Sequence, residues 1–511
     1  MTRPGPFSWH PEPELIDVRD PAVSRVALER LGHDAWGVAL DYLYDEAFRR
    51  AMGEPTTAVP LRVRFFGERG GPEPAPADPT ASAVLLAEFR DRVAPHQLNA
   101  WHPRTLSYFT PPPLLLSIVG ELLAQFTQQG VDVWHAGPSA AFVEEEVVRW
   151  LCDLIGYGEG SFGLLASGGV MANFMALALA RDVQLRRLRG LDRPPRGAAL
   201  EDARVYVSDQ GHFSVARALD ELGFPPQTLV TVPSDDGFRL GVAALADAVA
   251  ADLAAGMTPF AVVAVSGTTN TGSIDDVPAI GAVAARQGLW LHVDAAYGGA
   301  ARLSDDLAAL VPGLELADSV TVDPHKWFFQ AYDIGGLMVR DGRLLEQTFS
   351  RRPEYYRGGG DTAREHDAHD SDSLDFYRLG FEGTRRWRAL KLWMSWKHLG
   401  TRGLGRLVEA NVAIARYLSE RITASADFEQ LPANPELSVV CFRHLPAGPR
   451  PEPDALDAHQ DALQAALEAS GDGWLSTTRL RGSTWLRAGV LNPMTTEADI
   501  DRLLGLLREL S

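Results

Sequence analysis

The sequence has little cysteine, no excess of basic residues and no long apolar run, and each shortage removes a class of function. Only Cys152 and Cys441 occur in 511 residues, so neither a disulfide framework nor a cysteine-based zinc cluster can be built, and a reducing, cytoplasmic setting is expected. Acidic side chains outnumber basic ones and leave a formal charge of −19 at pH 7, which disfavours nucleic acid and anionic membranes as partners. No apolar stretch approaches the roughly 18 residues that a bilayer span requires. Even Leu114 to Phe126 is broken by Glu121 and Gln125. The start, Met1-Thr2-Arg3-Pro4-Gly5-Pro6, lacks the basic-then-apolar order of a signal peptide. Cys-x-x-Cys, Gly-x-Ser-x-Gly and a Walker loop are missing. His366 and His369 share an i, i+3 spacing but sit among charges without a third ligand, so no metal is expected.

What is present is an ordinary globular composition, 46% hydrophobic and 23% charged. Residues 1–110 read as a helical arm with Gly- and Pro-rich loops, 111–380 as a large α/β domain, and 381–511 as a small α+β domain. In the middle, short apolar runs at Arg204–Ser208, Thr228–Val232, Ala261–Val265, Trp290–Val293, Ser319–Val322 and Gly336–Val339 alternate with helical patterns at Met171–Arg189, Val242–Ala255 and Pro278–Gln287. That alternation marks a mostly parallel sheet with helices on both faces. Towards the end, strands are expected at Leu437–Phe442 and Thr484–Val490, with helices near Ala455–Ala469 and Glu497–Leu510. Ser350 to Asp375, polar and containing Gly358-Gly359-Gly360, reads as a long loop able to act as a lid.

Four segments carry chemistry. In Asp323-Pro324-His325-Lys326-Trp327 a lysine follows an apolar strand; in a partly desolvated cleft its amine becomes a carbonyl nucleophile, against the plainer reading of a surface lysine. In Leu291-His292-Val293-Asp294-Ala295-Ala296-Tyr297 a carboxylate closes an apolar strand, where it suits a protonated pyridine nitrogen or, more plainly, a helix N-cap. Ala166-Ser167-Gly168-Gly169-Val170-Met171 opens a helix whose free N–H groups suit a phosphate. Asp209-Gln210-Gly211-His212 places an imidazole after a strand, able to lie flat on an aromatic ring or to be merely structural.

In order and spacing these segments resemble the group II pyridoxal-phosphate-dependent decarboxylases, the family of aromatic amino acid, histidine, tyrosine and glutamate decarboxylases. Ser266-Gly267-Thr268-Thr269, Trp134 to Glu144 and Trp101-His102-Pro103 to Tyr108-Phe109 extend the resemblance over roughly residues 85–510. It implies a fold-type I enzyme, aspartate aminotransferase-like, working as a homodimer with its sites at the subunit interface and using pyridoxal 5'-phosphate. It also implies that Lys326 carries the cofactor as a Schiff base, Asp294 pairs with the ring nitrogen, and His212 stacks on the ring. Thr269 and Ala296 would flank the ring, and the backbone of Ser167, Gly168, Gly169 and Val170, helped by His325, would hold the phosphate. Val170 stands where the family has Ser or Thr, which removes one hydroxyl donor. Tyr355, with Tyr356 as its rival, matches the family's loop proton donor; Trp101, Tyr108 and Phe109 would line an aromatic-walled substrate pocket, and Arg487 would bind the α-carboxylate. The function so implied is decarboxylation of an aromatic L-amino acid. The alternatives are the family's aldehyde synthases, which replace the loop Tyr by Phe, and a non-catalytic pyridoxal-phosphate-binding regulator.

Overall fold

The alternating apolar runs assemble into one seven-stranded sheet, in a computed structural model that describes residues 21–54, 57–68, 71–351 and 374–511. Its strands are β1 (Phe162–Ala166), β2 (Ala203–Ser208), β3 (Leu229–Val232), β4 (Thr258–Val265), β5 (Trp290–Asp294), β6 (Ser319–Val322) and β7 (Gly335–Val339), in the order β1-β7-β6-β5-β4-β2-β3. Strands β2 to β6 pair in parallel, while β7 runs against both neighbours, so β1 points the same way as β6. The parallel strands read as near-continuous Val and Ala because helices cover both faces. Successive residues of β4 show this: Val262 and Ala264 pack with Val147, Leu151 and Ile280, whereas Ala261 and Val263 pack with Met175 and Leu219. Full burial of each such Val or Leu contributes about 1.5–3 kcal/mol.

Helix Pro138–Ile155 turns its buried stripe towards the sheet and carries Glu144 into the interior, where it meets Arg385 in an ion pair with both side chains fully buried. A second, antiparallel sheet is formed by β8 (Phe428–Gln430), β9 (Val439–His444), β10 (Ser476–Leu480) and β11 (Ser483–Gly489) in the order β10-β11-β9-β8, backed by helices Pro453–Ser470 and Glu497–Glu509. The helical stretch Ala389–Thr423 is bent at Gly400, whose φ of 66° leaves the helical region. No helix among the described residues is long and apolar enough to cross a membrane.

The structure departs from the sequence expectation in places with physical causes. Strands β1, β8 and β10 were not expected. β1 is short and contains Gly163, which is required because a Cβ there would lie 2.3 Å from the Leu337 carbonyl oxygen. β10 alternates exposed and half-buried Ser, Thr and Arg without an apolar face, and β8 has three residues. The helix expected over Met171–Arg189 runs regularly only over Gly169–Leu179 and then widens over Ala180–Leu185.

Candidate functional site

Ligands of open α/β sheets sit outside the carboxyl ends of the strands, and here β1, β2, β4, β5 and β6 all deliver a candidate segment to that edge. Ser167 follows β1, His212 follows β2, Thr269 follows β4, Asp294 ends β5, and Asp323 to Lys326 follow β6. Together they enclose a cavity of about 340 Å³ whose wall includes Ser167, Gly168, Gly169, Val170, His212, Thr269, Asp294, Ala296, His325 and Lys326. All ten cofactor-side residues expected from the sequence therefore meet in one place.

Lys326 Nζ lies 3.1 Å from Asp323 Oδ2, and its own N–H closes a turn onto the Asp323 carbonyl at 2.9 Å. Asp323 is buried, and its Oδ1 has no hydrogen-bond partner. His325 sits over Gly168: a Cβ on that glycine would meet the imidazole Cε1 at 3.1 Å. A Cβ on Gly169 would come within 2.8 Å of Asp323 Oδ2, and one on Gly335 within 2.4 Å of Gly168 Cα. A side chain at Gly335 would strike the Gly168 backbone, and one at Gly168 or Gly169 would crowd the His325 and Asp323 side chains, so glycines leave a cradle at the start of helix Gly169–Leu179. The first N–H groups of a helix have no partners within it, so this end favours an anion.

On the opposite side, Asp294 Oδ2 accepts from Asn173 Nδ2 at 2.8 Å and Oδ1 accepts from the Ala296 N–H at 3.2 Å. His212 Nδ1 is 2.8 Å from Ser214 Oγ, and its ring lies 4.2 Å from that of Phe213. Burial pulls the pKa of His212 below that of an ordinary imidazole, with Asp294 opposing the shift; burial also lowers His325, against the pull of Asp323. Both rings are therefore neutral at pH 7.

The substrate-side residues are less gathered. Phe109 lines the cavity, its ring centroid 5.7 Å from Lys326 Nζ and 4.4 Å from the Tyr297 ring. Tyr108 is largely exposed and packs edge-on against Trp474 at 4.9 Å, while Trp101 sits in a turn, its N–H donating to Asn99 Oδ1. Neither is on the wall, so the expected three-aromatic pocket is represented within this chain by Phe109. Arg487 stands behind it, with Cζ 4.7 Å from the Phe109 ring; Nε donates to the Thr269 and Asn270 carbonyls, and Nη2 is buried without a partner. Tyr355, Tyr356, His366 and His369 lie outside the described residues. Several wall residues had no role from sequence, Asn173, Asp323 and Tyr297 among them. The signal for Asn173 was its place as the one polar side chain in the helix Gly169–Leu179; for Asp323 it was the i, i+3 spacing to Lys326.

Residues 68–445 match the pyridoxal-dependent decarboxylase conserved domain. The chain is 32% identical over 490 residues to an aromatic-L-amino-acid decarboxylase of Bacillus atrophaeus, covering 96% of each. It is 30% identical over 416 residues to an L-2,4-diaminobutyrate decarboxylase of Acinetobacter baumannii, covering 80% of this chain and 79% of the other. Among solved structures, Oryza sativa TDC with PLP and tryptamine superposes with a TM-score of 0.86 at 26% identity, covering 98% of this chain and 99% of that one.

Proposed function

The chain belongs to the pyridoxal-dependent decarboxylase family and is a carboxy-lyase that uses pyridoxal 5'-phosphate, and from that premise we propose that its substrate is an aromatic L-amino acid, converted to the amine and carbon dioxide. The observation that carries this reading is Phe109, which faces Lys326 across the cavity with the Tyr297 ring tilted against it on the same wall. Tyr297 is fixed in turn, its hydroxyl bonded to Ser438 Oγ at 2.5 Å and accepting from the Ser438 N–H at 2.8 Å, so an aromatic face rather than a polar tip borders the site. The two wall carboxylates stand with cofactor-side groups, Asp294 bonded by Asn173 and Asp323 beside Lys326.

The residues fit the cofactor, since the Gly168–Gly169 cradle is a space that a Cβ would fill and the carboxylate of Asp294 lies beyond it on the cavity wall. When bound, pyridoxal 5'-phosphate supplies an aldehyde for amines and a protonated ring that withdraws the electrons left behind by carbon dioxide. Lys326 would hold the aldehyde carbon through Nζ until the substrate amine displaces it, with the Asp323 carboxylate beside Nζ. Asp294 would keep the ring nitrogen protonated, and neutral His212 would lie against the ring, with Thr269 and Ala296 at its flanks. The Ser167–Val170 backbone and His325 would hold the phosphate. Arg487, its Nε anchored on backbone and its Nη2 unspent, would take the α-carboxylate. Tyr355 would return a proton to Cα, on the strength of the sequence resemblance.

Incubating the loaded enzyme with tyrosine, tryptophan, phenylalanine, dihydroxyphenylalanine, histidine, glutamate and 2,4-diaminobutyrate tests this. Equal carbon dioxide and amine from an aromatic substrate alone supports it. A preference for 2,4-diaminobutyrate or glutamate overturns the substrate class, carbon dioxide with aldehyde and peroxide identifies a synthase, and cofactor binding without turnover identifies a regulator. Tyr355→Phe is expected to divert product from amine towards aldehyde, ammonia and peroxide, read by a coupled peroxide assay.

The same reading includes a homodimer in a reducing cytoplasm. Leu115, Leu122, Leu123 and Phe126 on helix Leu115–Thr127 are all exposed, as are Trp36, Leu40 and Tyr44 on helix Pro21–Tyr44, and each set is an apolar patch suited to a second copy. Sedimentation is expected to give twice the chain mass of 55.6 kDa.

A further inference from the structure

Asn173 is almost completely buried, on the wall between Asp294 and His212, and its amide has a partner at every polar position. Nδ2 donates to Asp294 Oδ2 and to Ser214 Oγ, both at 2.8 Å; Oδ1 accepts from Thr321 Oγ1 at 2.7 Å and faces His292 Nε2 at 3.0 Å. A carboxylate can only accept, so the amide nitrogen must face Asp294 and the amide oxygen must face His292. The imidazole of His292 is fully buried, and burial lowers its pKa to about 4, which makes it neutral. Because the Asn173 oxygen faces Nε2, the proton is placed there, while Nδ1 lies 2.9 Å from the Ser319 hydroxyl, which itself accepts from Trp290 Nε1 at 2.9 Å, and 3.1 Å from the Ser319 carbonyl. On the other branch, the Ser214 N–H points at His212 Nδ1 at 3.3 Å and makes that nitrogen an acceptor, so Ser214 Oγ, which accepts from Asn173, donates its proton to the same Nδ1 at 2.8 Å. With Nδ1 accepting, the His212 proton is on Nε2.

We propose that Asn173 is a positioning residue, one amide that orients the Asp294 carboxylate and, through Ser214, selects the Nε2–H form of His212. The inference rests on the reading in which Asp294 and His212 serve the cofactor ring. It gives two wall groups from different strands a common reference on the helix that also forms the phosphate cradle, so ring nitrogen, ring face and phosphate are set from a single element. Hydrogen-bonded networks of this kind are worth more than their separate bonds when every member is satisfied.

Two readouts besides turnover test it on the full-length protein: equilibrium affinity for pyridoxal 5'-phosphate, and the nitrogen-15 shifts of His212 in histidine-labelled, cofactor-loaded protein, assigned with His212→Gln. Asn173→Ala is expected to weaken cofactor binding about 10-fold, the scale at which removing the outer partner of a ligating group is felt, and to move His212 Nδ1 towards a protonated signal. Ser214→Ala is expected to move the Nδ1 signal while leaving affinity within about twofold, because the bond from Asn173 to Asp294 survives. A lower melting temperature with unchanged affinity and unchanged His212 signals in Asn173→Ala would make the residue merely structural and overturn the proposal. Should Asn173→Ala fail to fold, an unmoved Nδ1 signal in Ser214→Ala overturns the His212 branch. Asp294→Asn separates the two levels: if it leaves carbon dioxide release intact, the reading of Asp294 is wrong and the inference falls with it, whereas lost turnover in Asp294→Asn with unchanged affinity and unchanged His212 signals in Asn173→Ala removes the inference alone.

Discussion

Lys326→Ala is expected to release no measurable carbon dioxide, a loss of at least about 10⁴-fold. That exceeds the upper end for deleting one acid–base group because the same amine also holds the cofactor. Among the described residues Lys326 supplies the one side-chain amine on the cavity wall, so no described neighbour can replace it. Borohydride treatment should no longer attach the cofactor to the chain, as measured by intact mass. The variant also strands Asp323, whose Oδ1 already lacks a partner and whose other nearby cationic candidate, His325 Nε2 at 3.6 Å, is kept neutral by burial. Lys326→Arg separates the two roles. It retains a cation beside Asp323 but cannot form the covalent link, so it should be as inactive as the alanine variant while melting closer to the unsubstituted protein. Turnover by either variant would remove Lys326 from the centre of the mechanism.

The features that made this site readable are those that one segment carries whole. Asp294 and Lys326 each close an apolar run at a strand end, and strand ends on one edge of a parallel sheet converge, so the sequence pattern and the topology point to the same place. The cradle was legible for the same reason, because adjacent glycines before a helix are a local signal. Asn173 was not, since its importance lies in partners 41, 121 and 148 positions away, which no local pattern connects. The substrate side was only partly legible. Phe109 reaches the cavity, whereas Tyr108, with φ of 54°, turns out of line with it to meet Trp474. A backbone turn of that kind rotates neighbouring side chains apart, and sequence adjacency does not reveal it. The small sheet shows the same limit: β9 and β11 announce themselves through apolar residues, but β10 owes its pairing to β11 rather than to its own composition.

Glu144→Leu is expected to destabilise the protein by about 3–5 kcal/mol, the scale for removing one partner of a buried ion pair and leaving the other charge uncompensated. Both side chains are completely inaccessible, and their surroundings leave Arg385 little alternative: Nη2 bonds Glu144 Oε1 and the Leu165 carbonyl, both at 2.5 Å, Nη1 bonds the Val131 carbonyl at 3.0 Å, and Nε has no partner at all. Carbonyl dipoles alone cannot replace a carboxylate. Glu144 Oε1 also accepts the Leu165 N–H at 3.2 Å, so the pair grips β1 by both polar groups of a single residue, two positions before Ser167 and the cradle. The loss should therefore appear twice, as a lower denaturation midpoint and as weaker cofactor affinity, whereas a cavity-forming change on the far side of the core should lower the midpoint alone. The double replacement Glu144→Leu with Arg385→Met is the decisive arm. If desolvation of the lone guanidinium is the cause, the second substitution should recover much of the stability lost in the first, because a well-packed apolar pair often replaces a buried ion pair at little cost. If the two losses simply add, the charges are not coupled and the destabilisation comes from packing.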